Sequence, residues 1–274
     1  MASVPVLEIE EAAFRAWPAA EVVELSGWRL RFTHGVTRRA NSVWPNDWRD
    51  ETPLDERLEA VETFSAARGI PPSFQLTSAA HPADLDAVLA ARGYAVDAPV
   101  IVMTRELDAA SSFDSGLGFE ATVFSKPDAE WLTVPVERGR YAEARDVFLG
   151  ILARLGNRAG FALVRSDAGP IAVGLGVTDG PWLGIFAMLT LPEARRRGAA
   201  KAVLRTLTAW GAARGARRAY LQVERDNDGA RTLYAARGFV PAYEYHYRTN
   251  SRRAERFRPP VEVAHEGSAP ASLA

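Results

Sequence analysis

The segment with the clearest chemical potential is a run of basic and small residues at positions 192–201, PEARRRGAAK. It follows a strand-like run and opens a helical pattern. A helix N-terminus presents converging backbone N–H groups and a dipole that favours negative charge. Gly198 lets a ligand approach the backbone closely, and Arg195 and Arg197 can donate charge-assisted hydrogen bonds to phosphates. We therefore interpret this segment as a candidate diphosphate site; a solvated basic helix start is the alternative.

A second pattern lies at positions 221–239, LQVERDNDGARTLYAARGF. Asn227 follows a strand-like run and is well suited to cap the next helix. Tyr234 lies seven residues further on, two turns along the same helix face. Taken alone, Tyr234 is equally compatible with a buried core aromatic.

The elements that position these residues alternate between strands and helices. Period-two and apolar patterns predict strands at residues 161–165, 171–177, 182–190, 219–224 and 240–247. Helices are predicted at residues 196–214 and 228–237, each followed by a terminating glycine. This order indicates an α/β (α+β) fold with helices packed against a sheet.

The two patterns together resemble the coenzyme A-binding core of the GNAT (GCN5-related N-acetyltransferase) superfamily. The match spans about 50 residues in the correct order, and its one departure is Ala200, where glycine is frequent in the family. The resemblance implies a mixed, mostly antiparallel sheet flanked by helices, and acetyl-CoA as acyl donor without a metal. It implies donor contacts from Met188, Leu189, Thr190, Arg195, Arg196, Arg197, Gly198, Ala199, Ala200, Lys201, Asn227 and Tyr234.

The same resemblance implies that Tyr234 is the general acid for the thiolate leaving group. At finer grain the chain is similar to a bacterial two-domain group that is N-acetylglutamate synthase-like, through residues 27–45, 68–75, 220–227 and 245–248. This implies a primary amine acceptor, such as the amino acid glutamate. A protein or peptide N-terminal acetyltransferase and a non-catalytic coenzyme A-binding module are the alternatives.

Four landmarks indicate that the halves of the chain are diverged copies. Trp44-Pro45, a first Ala-Ala-Arg-Gly, Phe74-Gln75-Leu76 and a second Ala-Ala-Arg-Gly have counterparts 145 to 147 residues later. The counterparts are Leu191-Pro192, Ala-Ala-Arg-Gly at 212–215, Leu221-Gln222-Val223 and Ala-Ala-Arg-Gly at 235–238. In the first copy the donor loop reads Trp-Arg-Asp-Glu at positions 48–51, and two carboxylates there would repel phosphates. We therefore expect tandem GNAT-like domains of which only the C-terminal copy is active.

The domain boundaries follow from composition. We predict a degenerate domain at residues 1–108, a linker at 109–118, a catalytic domain at 119–250 and a flexible tail at 251–274. The first domain is expected to be structural and to form a wall of the acceptor pocket. Arg38, Arg39, Asn41 and Ser42 are candidates to bind an acceptor carboxylate, or else form an exposed polar turn.

The proposed chemistry also needs a base and an oxyanion donor. Glu224, at the end of a strand beside the donor site, is the first candidate base, with a surface charge as its alternative. His246 is the second candidate. A free backbone N–H near Met188 could polarise the thioester carbonyl.

Composition restricts the remaining function classes. The net charge of −1 gives no indication of a nucleic-acid binder, and nearly all of the positive charge is arginine, with Lys126 and Lys201 the only lysines. The chain has no cysteine, which excludes disulfides and thiolate catalysis. No apolar run is long enough to span a membrane. We expect a cytoplasmic monomer or homodimer whose partner is a small-molecule amine.

Overall fold

The protein is described by a computed structural model that covers residues 5–107 and 118–251. The predicted linker lies almost wholly outside these residues, and so does the predicted tail beyond Ser251. The described residues form one sheet of 11 strands with helices on both faces. The predicted α/β fold class is confirmed.

The described residues of the first half form three α-helices and five strands. The helices are α1 (Val6–Ala16), α2 (Leu54–Ala66) and α3 (Leu85–Ala91). The strands are β1 (Glu21–Leu25), β2 (Trp28–Phe32), β3 (Val43–Trp44), β4 (Ser73–Leu76) and β5 (Ala95–Glu106).

The second half repeats this order after one additional strand and one short helix, β6 (Ala121–Phe124) and α4 (Ala129–Leu132). Its helices are α5 (Arg145–Ala153), α6 (Ala199–Ala213) and α7 (Asp228–Ala235). Its strands are β7 (Ala159–Ser166), β8 (Gly169–Asp179), β9 (Trp182–Thr190), β10 (Arg218–Glu224) and β11 (Val240–Thr249). The seven elements predicted from the second half are all present.

The two halves exchange their last strands. The sheet order is β1-β2-β3-β4-β11-β5-β10-β9-β8-β7-β6. Strand β5 of the first half lies between β10 and β11 of the second, and β11 pairs with β4 of the first half. Neither half of the chain therefore completes its own sheet, and the domain boundary near residue 108 stays a prediction.

Apolar side chains alternate along the strands and form a core on each face. On one face, α6 and α7 cover Leu183, Ile185 and Leu221, while α2 and α3 cover the first-half strands. On the opposite face, α1, α4 and α5 cover residues such as Phe186 and Tyr220. Helix α6 has Val203, Leu204 and Leu207 at its buried stripe, as the helical periodicity predicted.

Candidate active site

The site begins where two neighbouring parallel strands separate. Strands β9 and β10 are paired only from Arg218↔Trp182 to Leu221↔Ile185. Beyond Ile185, β9 continues along β8, whereas the end of β10 pairs with β5. Backbone groups on the inner edges of the separated strands are therefore available to a ligand.

A β-bulge lies on β9 at this point. Val173 pairs with Leu189 and Leu175 pairs with Phe186, so Ala187 and Met188 stand opposite the single residue Gly174. Ala187 has φ of 46°, and a bulge leaves one residue without a ladder partner. This is the position near Met188 at which a free backbone N–H was expected.

Gly174 makes room for the bulge. A Cβ atom at this position would lie 2.5 Å from Val203 Cγ1 and 2.8 Å from Met188 Sδ. A side chain on β8 would therefore displace either α6 or the bulged residue.

The N-terminus of α6 lies beside the separated strands. Gly198 is its N-cap with φ of 98°, a left-handed conformation that favours glycine, and Arg196 has φ of 63°. The hydrogen bond from Ala202 N to Gly198 O, 3.1 Å, begins the helix. The amides before Ala202 consequently have no carbonyl partner within the helix. The predicted start at Arg196 was three residues early because these two turn residues precede the helix.

Two adjoining clefts open around this junction. The first, of about 750 Å³, lies between the end of β9, the start of α6 and α7. The second, of about 650 Å³, lies between β9, β10, β11 and the loop after β2. Both are lined by Met188, Leu189, Asn227 and Ala230, so they form one continuous groove.

Most of the predicted donor-binding residues line the first cleft. They are Met188, Leu189, Thr190, Arg195, Arg196, Gly198, Ala199, Ala200, Lys201 and Asn227. Arg197 is not among the lining residues; its guanidinium lies 5.7 Å from the ring centroid of Phe119. Tyr234 lines the second cleft instead.

Helix α7 positions Tyr234 from its capped end. The side chain of Asn227 accepts a hydrogen bond from Ala230 N, 3.1 Å, as predicted for the cap. Tyr234 packs against Phe239 and is 8% exposed. Burial raises the pKa of Tyr234 to about 12, so its phenol stays protonated at neutral pH and can donate a proton.

The first half contributes part of the wall of the second cleft, through Gly35, Val36, Thr37, Arg38, Arg39, Ala98 and Val100. Asn41 shapes this loop, because its Oδ1 accepts hydrogen bonds from Thr33 N and Gly35 N, and its Nδ2 donates to Val36 O and Thr37 O.

Of the four residues expected to bind a carboxylate, only the two arginines therefore face the cleft. Asn41 is buried beneath the loop, and Ser42 is also buried and accepts a hydrogen bond from Arg31.

The two candidate bases have different surroundings. Glu224 is exposed, lines the second cleft and lies 3.6 Å from Arg38 Nη1, while Arg38 also pairs with Asp97. His246 does not line the cleft, and its Nε2 is hydrogen-bonded to Asp86 on α3, 2.9 Å. The geometry thus favours Glu224 over His246.

Several cleft residues were not identified from the sequence. Arg140, Tyr141 and Glu143 reach the second cleft from the segment between α4 and α5. Gln222 on β10 lines it as well. Arg140, Tyr141 and Glu143 lie in no motif, and Gln222 lies within the pattern at positions 221–239 without being singled out by it. These side chains meet at the cleft only through the packing of segments distant in sequence.

In the first half, the loop at positions 48–51, which corresponds to the proposed donor loop, packs against the side chain of Arg57. Arg57, with a fully buried side chain, donates hydrogen bonds to Ser26 O, Thr52 O and Asp50 O, and pairs with Asp50 Oδ1. Its guanidinium also lies 3.5 Å from the ring centroid of Trp48. The expectation that the first copy holds no donor stays a prediction.

Two features are absent from the described ranges, 5–107 and 118–251. No cluster of three or more His, Asp or Glu side chains is arranged to hold a metal ion. None of the helices there has the length and apolarity needed to cross a bilayer.

The comparisons with known proteins agree with this geometry. A family model described as "Probable histone acetyltransferase Rv0428c C-terminal" matches residues 5–248. The chain belongs to this family. The sequence is 32% identical over 248 residues to "Uncharacterized N-acetyltransferase YobR" of Bacillus subtilis, covering 89% of this chain and 98% of that protein.

A second family relative is "Probable histone acetyltransferase Rv0428c" of Mycobacterium tuberculosis. It is 30% identical over 220 residues, or 78% of this chain, and the matched region spans 65% of the relative's length. The fold is similar to that of a GCN5-related N-acetyltransferase from Kribbella flavida, with a TM-score of 0.60 and 16% identity. That comparison covers 92% of this chain and 97% of the other.

These findings confirm the predicted membership of the GNAT superfamily, and the protein is an acetyltransferase. The narrower resemblance to the N-acetylglutamate synthase-like group is not confirmed by them and stays a prediction.

Proposed function

We propose that the protein transfers the acetyl group of acetyl-CoA to a primary amine of a small molecule, with an amino acid such as glutamate as the leading candidate. The observation that carries the proposal is the continuous groove, which joins the open N-terminus of α6 to the bulge on β9 and to Tyr234.

The first cleft fits the donor's diphosphate and pantetheine arm. The left-handed Gly198 leaves its backbone open to close approach, and the free amides at the head of α6 are suited to an anion. Arg195, Arg196 and Lys201 add positive charge along the same wall. When bound, the donor supplies an activated thioester.

The chain's own residues then perform three tasks at the junction of the clefts. The bulge at Ala187 and Met188 offers a backbone N–H to the thioester carbonyl oxygen. Glu224 accepts a proton from the ammonium group, directly or through water, so that a neutral amine attacks. Tyr234 donates its phenolic proton to the leaving sulfur.

A second candidate function is acetylation of a protein amine. It is favoured by the description of the family, which names a probable histone acetyltransferase. Two exposed carboxylates, Glu143 and Glu224, also line the acceptor cleft and would suit a basic peptide.

The discriminating experiment measures release of free thiol from acetyl-CoA in the presence of single amino acids, simple amines and lysine-rich peptides. We expect turnover with small amines at rates well above hydrolysis. Turnover with peptides alone would replace the proposal by the second candidate. Acetyl-CoA binding without turnover on any amine would favour the non-catalytic module.

The assignment of the base is tested with a matched pair. Glu224→Gln and Glu143→Gln remove one exposed carboxylate each from the same cleft. General base catalysis contributes about 10²- to 10⁴-fold, so kcat should fall by this order only in Glu224→Gln. Equal rates in the two variants would show that Glu224 is not the base.

A further inference from the structure

The acceptor cleft contains two buried nitrogen donors without partners. Within the described residues, Arg39 Nε and Gln222 Nε2 are inaccessible to solvent and form no hydrogen bond. Both residues line the same cleft, one from the loop after β2 and the other from β10. Buried polar groups in native proteins are nearly always hydrogen-bonded, so two exceptions in one cleft point to a missing acceptor group.

Arg39 lies against aromatic rings and interacts with the hydroxyl of Tyr245, and no carboxylate of the described residues pairs with it. Its guanidinium carbon lies 5.2 Å from the ring centroid of Phe186 and 5.8 Å from that of Trp17. Neighbouring Arg38 is different, because it already pairs with Asp97 and Glu224. No carboxylate in the described part of the chain lies within 4.0 Å of the Arg39 guanidinium nitrogens.

Among the described residues, one carboxylate is buried, and it is already bonded elsewhere. Glu10 is 1% exposed and interacts electrostatically with Arg39. However, its two oxygens accept hydrogen bonds from Tyr243, 2.6 Å, and from Gln75 Nε2, 2.8 Å. Glu10 therefore offsets the charge of Arg39 without supplying the hydrogen bonds that Arg39 lacks.

The side-chain oxygen of Gln222 accepts a hydrogen bond, whereas its side-chain nitrogen has no hydrogen-bond partner in the part of the chain that the structure describes. The hydroxyl of Tyr245 donates to Gln222 Oε1, 3.2 Å, and Tyr245 also interacts electrostatically with Arg39. Tyr245 thus connects the two donor residues at the floor of the cleft. A planar, bidentate anion matches an arginine fork beside an amide donor.

We propose that the acceptor substrate carries a carboxylate, which Arg39 and Gln222 bind, so that the substrate class is amino acids or similar small amino carboxylates. This inference rests on the proposed function. Arg39 and Gln222 would then be specificity residues that hold one end of the acceptor, while its amine lies near the bulge and Glu224.

The test compares matched acceptors that differ only at the carboxyl group. Thiol release is measured with a panel of L-amino acids, their C-terminal amides and the corresponding decarboxylated amines. For the best amino acid, we expect kcat/KM to exceed that of its amide and its decarboxylated form by roughly 10- to 100-fold, as for hydrogen bonds to a charged group.

Two variants assign this preference to the proposed residues. Arg39→Gln should abolish the preference for the amino acid over its amide and its decarboxylated form. Gln222→Glu keeps the shape of the side chain but opposes a carboxylate with a second one, so it should lower kcat/KM for the acid selectively. Arg165→Gln, which removes an exposed arginine paired with Glu130 outside the cleft, is the control.

The outcomes separate this inference from the proposed function. Equal rates for acids and decarboxylated amines would overturn the inference and leave the small-amine proposal intact. Turnover on peptides alone would overturn both. If Arg39→Gln does not fold, Arg39→Lys takes its place, because lysine keeps the charge but lacks the planar fork of arginine. Arg39→Lys must then show a preference for the acid that is weaker than in the unmodified protein. An unchanged preference in both Arg39→Lys and Gln222→Glu would also overturn the inference.

Discussion

The proposed diphosphate site is tested most directly at Gly198, with a pair of substitutions that differ in charge but not in shape. Gly198 has φ of 98° at the N-cap of α6 and lines the donor cleft. Asparagine and aspartate both tolerate left-handed backbone conformations and both cap helices. Gly198→Asn and Gly198→Asp therefore share the same backbone strain, of about 1–2 kcal/mol.

The negative charge of the aspartate should have opposite effects on the stability of the protein and on its affinity for coenzyme A. A carboxylate at a helix N-terminus stabilises the helix by about 0.3–1 kcal/mol, so Gly198→Asp should be at least as stable as Gly198→Asn. Two like charges 4 Å apart repel by about 4 kcal/mol at an effective dielectric constant of 20. Because the cleft is open and salt screens part of this repulsion, we expect coenzyme A to bind Gly198→Asp roughly 10- to 100-fold more weakly than Gly198→Asn.

The assay is calorimetric titration of both variants with coenzyme A at low and high salt, together with thermal unfolding. The difference in Kd should narrow as salt rises, since the Debye length falls from about 10 Å at 0.1 M to about 3 Å at 1 M. Turnover of S-acetylpantetheine, which has no diphosphate, should be the same in both variants.

Equal affinities of the two variants for coenzyme A would refute the placement of the diphosphate at α6. A difference that persists with S-acetylpantetheine would refute it as well, because the added carboxylate would then act on another part of the donor.

Three further predictions concern the bulge, the acid and the first half. Tyr234→Phe keeps the buried ring, so stability should change little while kcat falls about 10²- to 10⁴-fold near pH 7. Thiol-release assays from pH 7 to 9.5 should show that the difference in kcat between the variant and the unmodified protein becomes smaller above about pH 8.5. In that range a thiol can leave as the thiolate and no longer needs the proton. Gly174→Ala and Gly160→Ala both insert a Cβ within 2.6 Å of another side chain, and each should lower the free energy of unfolding by about 1–3 kcal/mol. Steady-state kinetics should show a lower kcat only for Gly174→Ala, because Gly174 lies beside the bulge. Arg57→Met leaves three backbone carbonyls without their donor and should lower stability in denaturant titrations by at least about 1–3 kcal/mol, the cost of one buried acceptor left unsatisfied. The Kd of acetyl-CoA should not change; a weakened Kd would show that the first copy contributes to donor binding.

The donor side of the site was accessible from the sequence because its determinants are local. A glycine at a helix start, an asparagine cap and a tyrosine two turns later lie within 37 positions, 198–234. Each needs only its own helix to be placed. The helix start itself was missed by three residues, since the left-handed turn at Arg196 cannot be distinguished from a helical turn by periodicity.

The acceptor side was not accessible in the same way. Arg39, Arg140 and Gln222 come from three segments that share no pattern and meet in one cleft. The sequence suggests Arg39 as a carboxylate ligand, but it suggests its neighbours Asn41 and Ser42 equally. Only the structure shows that Asn41 and Ser42 are buried. Side-chain orientation at a turn depends on long-range packing, which local sequence does not encode.

The sequence by itself determined the fold class and the order of elements in the second half, and it indicated the loop at positions 195–201 that we propose as the donor site, because periodicity, capping residues and turn chemistry act over a few residues. Only the tertiary structure decided that β5 and β11 cross between the halves and which residues of the first half line the second cleft. Which strands pair depends on the strand edges and apolar faces that the rest of the chain leaves uncovered. Strand pairing therefore depends on the packing of the whole chain and not on local sequence.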